Sequence, residues 1–389
     1  MSSAEDEPNR YEQPLPAERE LLSERRRSRQ GWPWRRLLRG RVRPLLAAGL
    51  AGVLLGAGGM AWQVQAGPFA PDEVCWDALS REDLAPIFRE PQDVKAVEAP
   101  VLHGQRSMDG PTGNCQLTNS DGNAWALTVR VHRLSERAGD DGKWADEFLS
   151  ARLTPLGGGL LGMVSDSRAW LAIPDGCLGR PGNLDGPTVV DIAQGSWITD
   201  MEPRTKERDA MARMVVKLVN KVSADLDCTG TIADPVERLP KAARYTRSEE
   251  PDALCGIKGL TLGRKHKPAQ YPMITDGHGP VRTCDRDVTN SQPTQRLMTV
   301  EDPRLAKIFT RMALYEGDRV RSAAGVGGLG PNLGVFRARC QTGETAFLVR
   351  NNERETSANL RALFPRYVEA EAARLGCGPL KLKLPARSG

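Results

Sequence analysis

Side chains able to do chemistry are sparse in this chain, and the most informative are its eight cysteines, Cys75, Cys115, Cys177, Cys228, Cys255, Cys284, Cys340 and Cys377. An even cysteine count in an oxidising compartment makes disulfides, whereas zinc-binding thiolates come in closely spaced pairs. The closest pair here, Cys255 and Cys284, is 29 residues apart, and neither Cys-x-x-Cys nor His-x-x-x-His occurs. The spacing therefore predicts four disulfides and no metal ligands. The cysteines fall into two quartets, with gaps of 40, 62 and 51 residues and then 29, 56 and 37. Each quartet allows three connectivities. The favoured one joins first to second and third to fourth, because it repeats in both quartets without crossing the segment between them.

The search for catalytic patterns is largely negative. Gly325-Val-Gly-Gly-Leu-Gly330 spells Gly-x-Gly-x-x-Gly, but Pro331 and a strand-like Val335–Cys340 follow it where a nucleotide site needs a helix. A turn is expected there. Gly139 to Trp144 lacks the Ser or Thr of a phosphate-binding loop. No Gly-x-Ser-x-Gly, Ser-x-x-Lys or His-Glu-x-x-His is present. His103, His132, His266 and His278 are scattered, each expected as a surface or partly buried residue. The Lys265–Gly279 stretch reads either as a solvated loop or as a site for an anionic wall polymer. No enzyme activity and no cofactor are expected.

The elements that would position these residues begin with a membrane segment. Between Arg43 and Asp72 the chain runs 28 residues without a charge, and residues 25–43 carry nine arginines and no acid. Residues 44–66 approach the roughly 20 that a helix needs to cross a bilayer, and basic residues beside a span keep that flank cytoplasmic. Trp32, Trp34 and Trp62 suit the two interfacial belts. A single-pass anchor is thus expected over 44–66, with a largely disordered cytoplasmic tail at 1–43 and everything after it outside the cell. Cleavage after Ala66, at a small-x-small site, competes with retention of the anchor. Ala48, Gly52 and Gly56 form a small-xxx-small series suited to a homodimer, although the segment is rich in glycine and alanine throughout.

Charge excludes one attractive function. The chain carries +5 overall, of which residues 1–43 supply +4 from 11 Arg and seven acids. The basicity orients the membrane segment, and no nucleic-acid partner is expected.

The cysteine contexts match across the quartets. Cys75 and Cys255 each open a leucine-containing turn, Cys115 and Cys284 lead into strands, and Cys177 and Cys340 follow the glycine-rich Leu156–Gly162 and Gly325–Gly330. Cys228 and Cys377 close helices. This reads as a tandem duplication, with units at 72–228 and 252–385 and a Pro- and charge-rich linker at 229–251. Leu127, Val129 and Val131 alternate as in a strand, and strands are expected at 188–193 and 345–350. Ser80 and Asp83 suit a capping box. Asp302 and Pro303 open a helix whose Leu305, Ile308, Phe309 and Met312 share one face, and Trp144, Phe148 and Leu149 do likewise in the first unit. Met211, Met214, Val215, Leu218, Val222 and Leu226 form the stripe of a long helix; Leu360, Leu363, Phe364 and Tyr367 mark its counterpart, where Pro365 should kink or restart the helix.

On these residues the chain resembles an uncharacterised actinobacterial family of secreted, cysteine-containing lipoprotein-type domains, here occurring twice. It departs from that pattern in having no Trp after Cys115-Gln-Leu and no lipidated cysteine. The resemblance implies an α+β fold, in which antiparallel sheet packs with helices as α/β sandwich units at the cell envelope, and it implies no activity. The expected function is a membrane-anchored extracytoplasmic binding or scaffolding protein, its partners the lipid bilayer and an envelope ligand or protein. The alternatives are a transmembrane signalling protein and an envelope enzyme without a recognisable motif.

Overall fold

A computed structural model of the chain describes residues 72–102, 110–119, 127–135, 143–178, 185–195, 203–245, 253–261, 272–275, 278–289, 292–352 and 357–384. The expected tail, the span at 44–66 and its Ala48, Gly52 and Gly56 lie outside these residues. Among the described residues no helix is long and apolar enough to cross a membrane. Residues Asp72–Gly389 form one compact unit, a mixed α+β structure with two seven-stranded antiparallel sheets.

In the first half a small ribbon of β1 (Glu73–Val74) and β2 (Leu79–Ser80) leads into helix α1 (Arg81–Leu84). The first large sheet comprises β3 (Val94–Leu102), β4 (Thr112–Asn119), β5 (Leu127–Arg133), β6 (Thr154–Pro155), β7 (Gly162–Val164), β8 (Arg168–Ala172) and β9 (Thr188–Gln194). Helix α2 (Trp144–Phe148) precedes β6, α3 (Asp175–Leu178) follows β8, and the long α4 (Thr205–Asp225) follows β9. The second sheet comprises β10 (Met273–Ile274), β11 (Val281–Thr289), β12 (Gln292–Val300), β13 (Asp318–Ser322), β14 (Gly325–Leu329), β15 (Leu333–Cys340) and β16 (Gly343–Asn351). Helices α5 (Pro303–Ala306) and α6 (Thr310–Tyr315) precede β13, and α7 (Ser357–Arg374) follows β16.

The spatial orders are β3-β4-β5-β9-β8-β7-β6 and β10-β11-β12-β16-β15-β14-β13. Numbered within each half, both sheets read first, second, third, seventh, sixth, fifth, fourth. Short helices sit between the third and fourth strands of each sheet, and one long helix follows the seventh.

Period-two patterning explains how each sheet buries both faces. Val129, Val131, Val190 and Ile192 pack under Met211, Met214, Val215 and Leu218 of α4. Phe347 and Val349 pack under Leu360, Leu363 and Phe364 of α7. The opposite faces meet in a third, shared core, to which each half contributes eleven buried residues. Trp144, Phe148, Trp170 and Val189 from the first half there join Met298, Ile308, Phe309 and Leu348 from the second. Gly279 shows how closely the halves approach, since a Cβ at that position would collide with the Pro155 ring.

The four disulfides are Cys75–Cys115, Cys177–Cys228, Cys255–Cys284 and Cys340–Cys377. Cys75 and Cys255 both sit on left-handed backbone, with φ of 54° and 57°. Trp76 and Asp77 continue that conformation at 63° and 57°, which is costly for residues with a Cβ. Glu98, opposite Cys115 in the β3–β4 register, offsets the cost by accepting from Cys75 N and Trp76 N at 2.6 and 2.9 Å. Cys228 and Cys377 each follow a Schellman turn. Their N–H groups reach Ser223 O and Ala372 O at 2.9 Å in both cases, after Asp227 and Gly376 in left-handed conformation.

Several local expectations need correction. Gly325–Leu329 is strand β14, paired with β13 and β15, and no turn. Only Leu156–Gly162 of the two glycine-rich stretches makes a turn, through Gly157, Gly158 and Gly159 with positive φ between β6 and β7. Glycine content does not distinguish a turn from a strand held between two neighbours. Helix α7 runs through Pro365 as one helix of 18 residues. An interior proline removes one backbone hydrogen bond and its ring crowds the preceding turn, at a cost of about 3 kcal/mol, which the buried stripe from Leu360 to Ala372 offsets. The Asp302 cap is present, accepting from Arg304 N at 2.8 Å. The helix it opens, however, is divided by a 3-10 turn over Lys307–Phe309. The 229–245 part of the linker packs Ile232, Val236 and Leu239 against the first core.

Candidate functional site

Among the described residues, two of the places that gather polar side chains bear on a possible site. The first is the inner face of the first sheet. Arg130 and His132 on β5 lie beside Asp191 on the central strand β9. Asp191 is buried, and its Oδ2 accepts from Trp144 Nε1 at 2.9 Å and lies 2.5 Å from His132 Nε2. Arg130 Nε is 3.7 Å from Asp191 Oδ1.

Counting register from Cys115–Val129–Ile192 in one sheet and Cys284–Leu297–Val349 in the other aligns Arg130, His132 and Asp191 with Met298, Val300 and Leu348. One half thus carries a charged cluster where the other is apolar. The second half has its own charges two residues along the register on the same face, at Arg296 and Arg350, which align with Thr128 and Ala193. His132 and Asp191 have the pairing of a base and its orienting carboxylate. Among the described residues no Ser, Thr or Cys joins His132 in a hydrogen bond. Arg168 lies beside this face, its guanidinium 5.9 Å from the Phe148 ring centroid. Burial lowers the Arg168 pKa, against the opposing pull of Glu147.

The second place is an open groove of about 710 Å³ at the seam between the halves. Its wall comes from three segments: Thr205 and Arg208 on the first turn of α4, Lys241 and Arg244 on the connecting segment, and Ile274 and Thr275 at the edge of the second sheet. The edge is held by a bridge between Tyr245 and Met273 and by a small cluster of Ala151, Ala243 and Met273. Burial, with the nearby Asp285, raises the Tyr245 pKa. Arg208 is mostly buried and donates through Nη1 to Pro240 O at 2.9 Å, with Asp209 Oδ1 3.2 Å from Nη2. Thr275 Oγ1 donates to Thr283 O at 3.3 Å. None of the described lining residues is acidic. Helix α4 begins here without a side-chain cap from Arg204. At this size the groove falls in the range of ligand sites, about 300–1,000 Å³.

The eight cysteines sit in disulfides away from the groove walls, and their role is structural. His278 is exposed, whereas His103 and His266 lie outside the described residues, as does most of Lys265–Gly279. Among the described residues no cluster of three or more potential metal ligands occurs. Sequence reasoning missed Arg208, Lys241 and Arg244. Lys241-Ala-Ala-Arg244 was visible as a basic pair in the linker, but nothing in its spacing showed that it faces the first turn of α4. Compared with known proteins, the chain matches no family model, no curated protein and no solved structure.

Proposed function

We propose that this protein is a membrane-anchored extracytoplasmic binding or scaffolding protein of the cell envelope. In this reading it is built as a tandem duplication, with residues 44–66 as a single span and the arginine-rich flank in the cytoplasm. The observation that carries the location is that all eight cysteines are paired. Disulfides persist outside the reducing cytoplasm. The groove supports binding over catalysis, because its described lining residues gather cations from α4 and the connecting segment and include no paired acid and base.

The test is a pair of C-terminal fusions to the full chain, one to a reporter that works only after export and one to a reporter that works only in the cytoplasm. The exported reporter is expected to be active and the cytoplasmic one silent. The reverse pattern overturns the topology and, with it, the reason for the disulfides.

A further inference from the structure

We infer that the bare end of the first sheet's inner face, on β3 and β4, rests on the outer surface of the bilayer, with Val97, Ala99 and Leu102 seated among the lipid headgroups. The inference rests on the reading of residues 44–66 as a retained span, and adds a second lipid contact outside it. Cys115 and Leu117 on β4 are buried in the first core, so the alternate residues Thr112, Asn114 and Gln116 point the other way. Opposite them in register stand Leu102, Ala99 and Val97. All six are exposed, Val97 at 67% and Leu102 at 57%, and none is charged. Contiguous exposed apolar surface marks an interaction site.

The second half shows what such a face needs. Counting register from Glu98–Cys115 and Ile274–Cys284 aligns Val97, Gln116 and Asn114 with Met273, Asp285 and Thr283. These three are buried: Met273 lies against Ala151 and Ala243, while Asp285 and Thr283 bond to Ala151 N and Leu149 O. Part of that cover, Ala243 and Tyr245, comes 12 and 10 residues before Cys255, and the same interval before Cys75 falls at Gln63 and Gln65, the outer end of the span. Where the second half has a polypeptide cover, the first half thus has the bilayer at hand. Cys75 N, nine residues beyond Ala66, donates to Glu98 of β3, so the strand is held within about 30 Å of the point where the chain leaves the lipid.

Strand addition by a second copy is a poorer fit. The edge strand β3 carries Lys95 and Pro100, its register is broken between Ala99 and Leu102, and Ala99 O accepts from Trp76 Nε1 at 2.8 Å. Each of these discourages edge pairing. A lipid surface needs only the face. Lys95, on the same side as Val97, can lay its stem along the apolar strip and keep its ammonium beside lipid phosphates.

The experiment places full-length protein, one copy per disc, in nanodiscs of zwitterionic phosphatidylcholine that include lipids bearing a shallow nitroxide quencher. A polarity-sensitive fluorophore is attached through Thr112→Cys, opposite Leu102, or through Arg319→Cys, an exposed position on β13. The probe at position 112 should be quenched about 3-fold more than the probe at 319, and Val97→Gln with Leu102→Gln should remove most of that difference by taking away the seated apolar surface. Equal quenching at the two positions, or quenching at 112 that the double variant leaves unchanged, overturns the inference. So does a blue shift at 112 that rises with protein concentration in micelles and is absent from single-copy discs, which assigns the face to a second copy. Failure of the protein to enter the discs removes the span and this inference together; insertion without quenching at 112 removes the lipid contact and leaves the span standing.

Discussion

Asp285 and Arg296 stand directly opposite one another on β11 and β12, and their doubly bonded pair is buried where the halves meet. Arg296 Nε and Nη2 donate to Asp285 Oδ1 and Oδ2 at 2.6 and 2.9 Å. Both partners then reach into the first half. Arg296 Nη1 donates to Asp146 O at 2.6 Å, and Asp285 Oδ2 accepts from Ala151 N at 3.0 Å. Thr283 Oγ1 adds a bond to Leu149 O at 2.6 Å, and Arg350 pairs with Asp146. These donors fall on the C-terminal end of α2, where carbonyls lack helical partners and a positive charge is favoured. Burial would lower the Arg296 pKa, but Asp285 and Asp146 raise it above its ordinary value.

Breaking this pair on one side should be costly. Arg296→Met leaves the Asp285 carboxylate buried with one remaining donor, and about 3–5 kcal/mol of stability should be lost. Asp285→Leu combined with Arg296→Met should lose less than the sum of the single changes, because no unpaired charge remains. Chemical denaturation of the four proteins measures the coupling, and strict additivity would sink the account.

Glu98 should be required for the turn at Cys75. Glu98→Ala leaves Cys75 N and Trp76 N without their acceptor beside three left-handed residues. The expected loss is about 1–3 kcal/mol, with Glu98→Gln intermediate because one acceptor oxygen remains. Thermal unfolding of the two variants distinguishes this role from a solvated surface charge, for which neither change would matter.

The two Schellman turns offer an exchange between halves. Asp227 holds φ of 57° where the second half has Gly376 at 66°. Asp227→Gly should stabilise by about 0.5–1 kcal/mol, since glycine adopts that conformation without a Cβ penalty. Gly376→Ala should destabilise by about 1 kcal/mol, and its Cβ would lie 3.1 Å from Gln341 Oε1. Opposite signs in a denaturation midpoint are the expected result.

Asp83 predicts an acid dependence. Burial alone would raise its carboxyl pKa, but hydrogen bonds from Lys217 and Ser80 outweigh burial and hold it below the ordinary value. A carboxylate depressed in the folded state stabilises above its unfolded pKa, near 4, and that contribution disappears as pH falls through the folded value. Lys217 is about half exposed, its Nζ 2.7 Å from Asp83 Oδ1, so the effect should stay below about 1 kcal/mol. Asp83→Asn should flatten stability against pH below about 4, and a slope identical to the parent would exclude the effect.

The disulfides can be read chemically. Peptide mapping without reduction should yield the links 75–115, 177–228, 255–284 and 340–377 and no free thiol. Replacing Cys177 and Cys228 together by Ser should cost about 2–5 kcal/mol. Any link crossing between the quartets would contradict the fold.

Much of the fold was legible in local pattern. The stripe from Met211 to Leu226 packs as a helix stripe should, because apolar residues at a 3.6 period have only one way to leave water together. The capping box at Ser80 forms with both reciprocal bonds. Gly325–Gly330 misled because a glycine run reports permissiveness and not the conformation chosen. At Pro365 the helix does not restart, because the burial of α7 offsets a local cost of about 3 kcal/mol.

What the sequence by itself determined were the elements with a periodic or covalent signature: alternating strands, long amphipathic helices and two matched cysteine quartets. What only the tertiary structure decided was the pairing of distant surfaces, namely the shared core, the contact of Asp285 and Arg296 with α2, and the meeting of Lys241 and Arg244 with Arg208. A helix or strand is specified by neighbours a few residues away, whose geometry repeats. Contacts between positions 134 or more residues apart, such as Ala151 with Asp285, depend on how whole sheets stack, and no spacing along the chain encodes that.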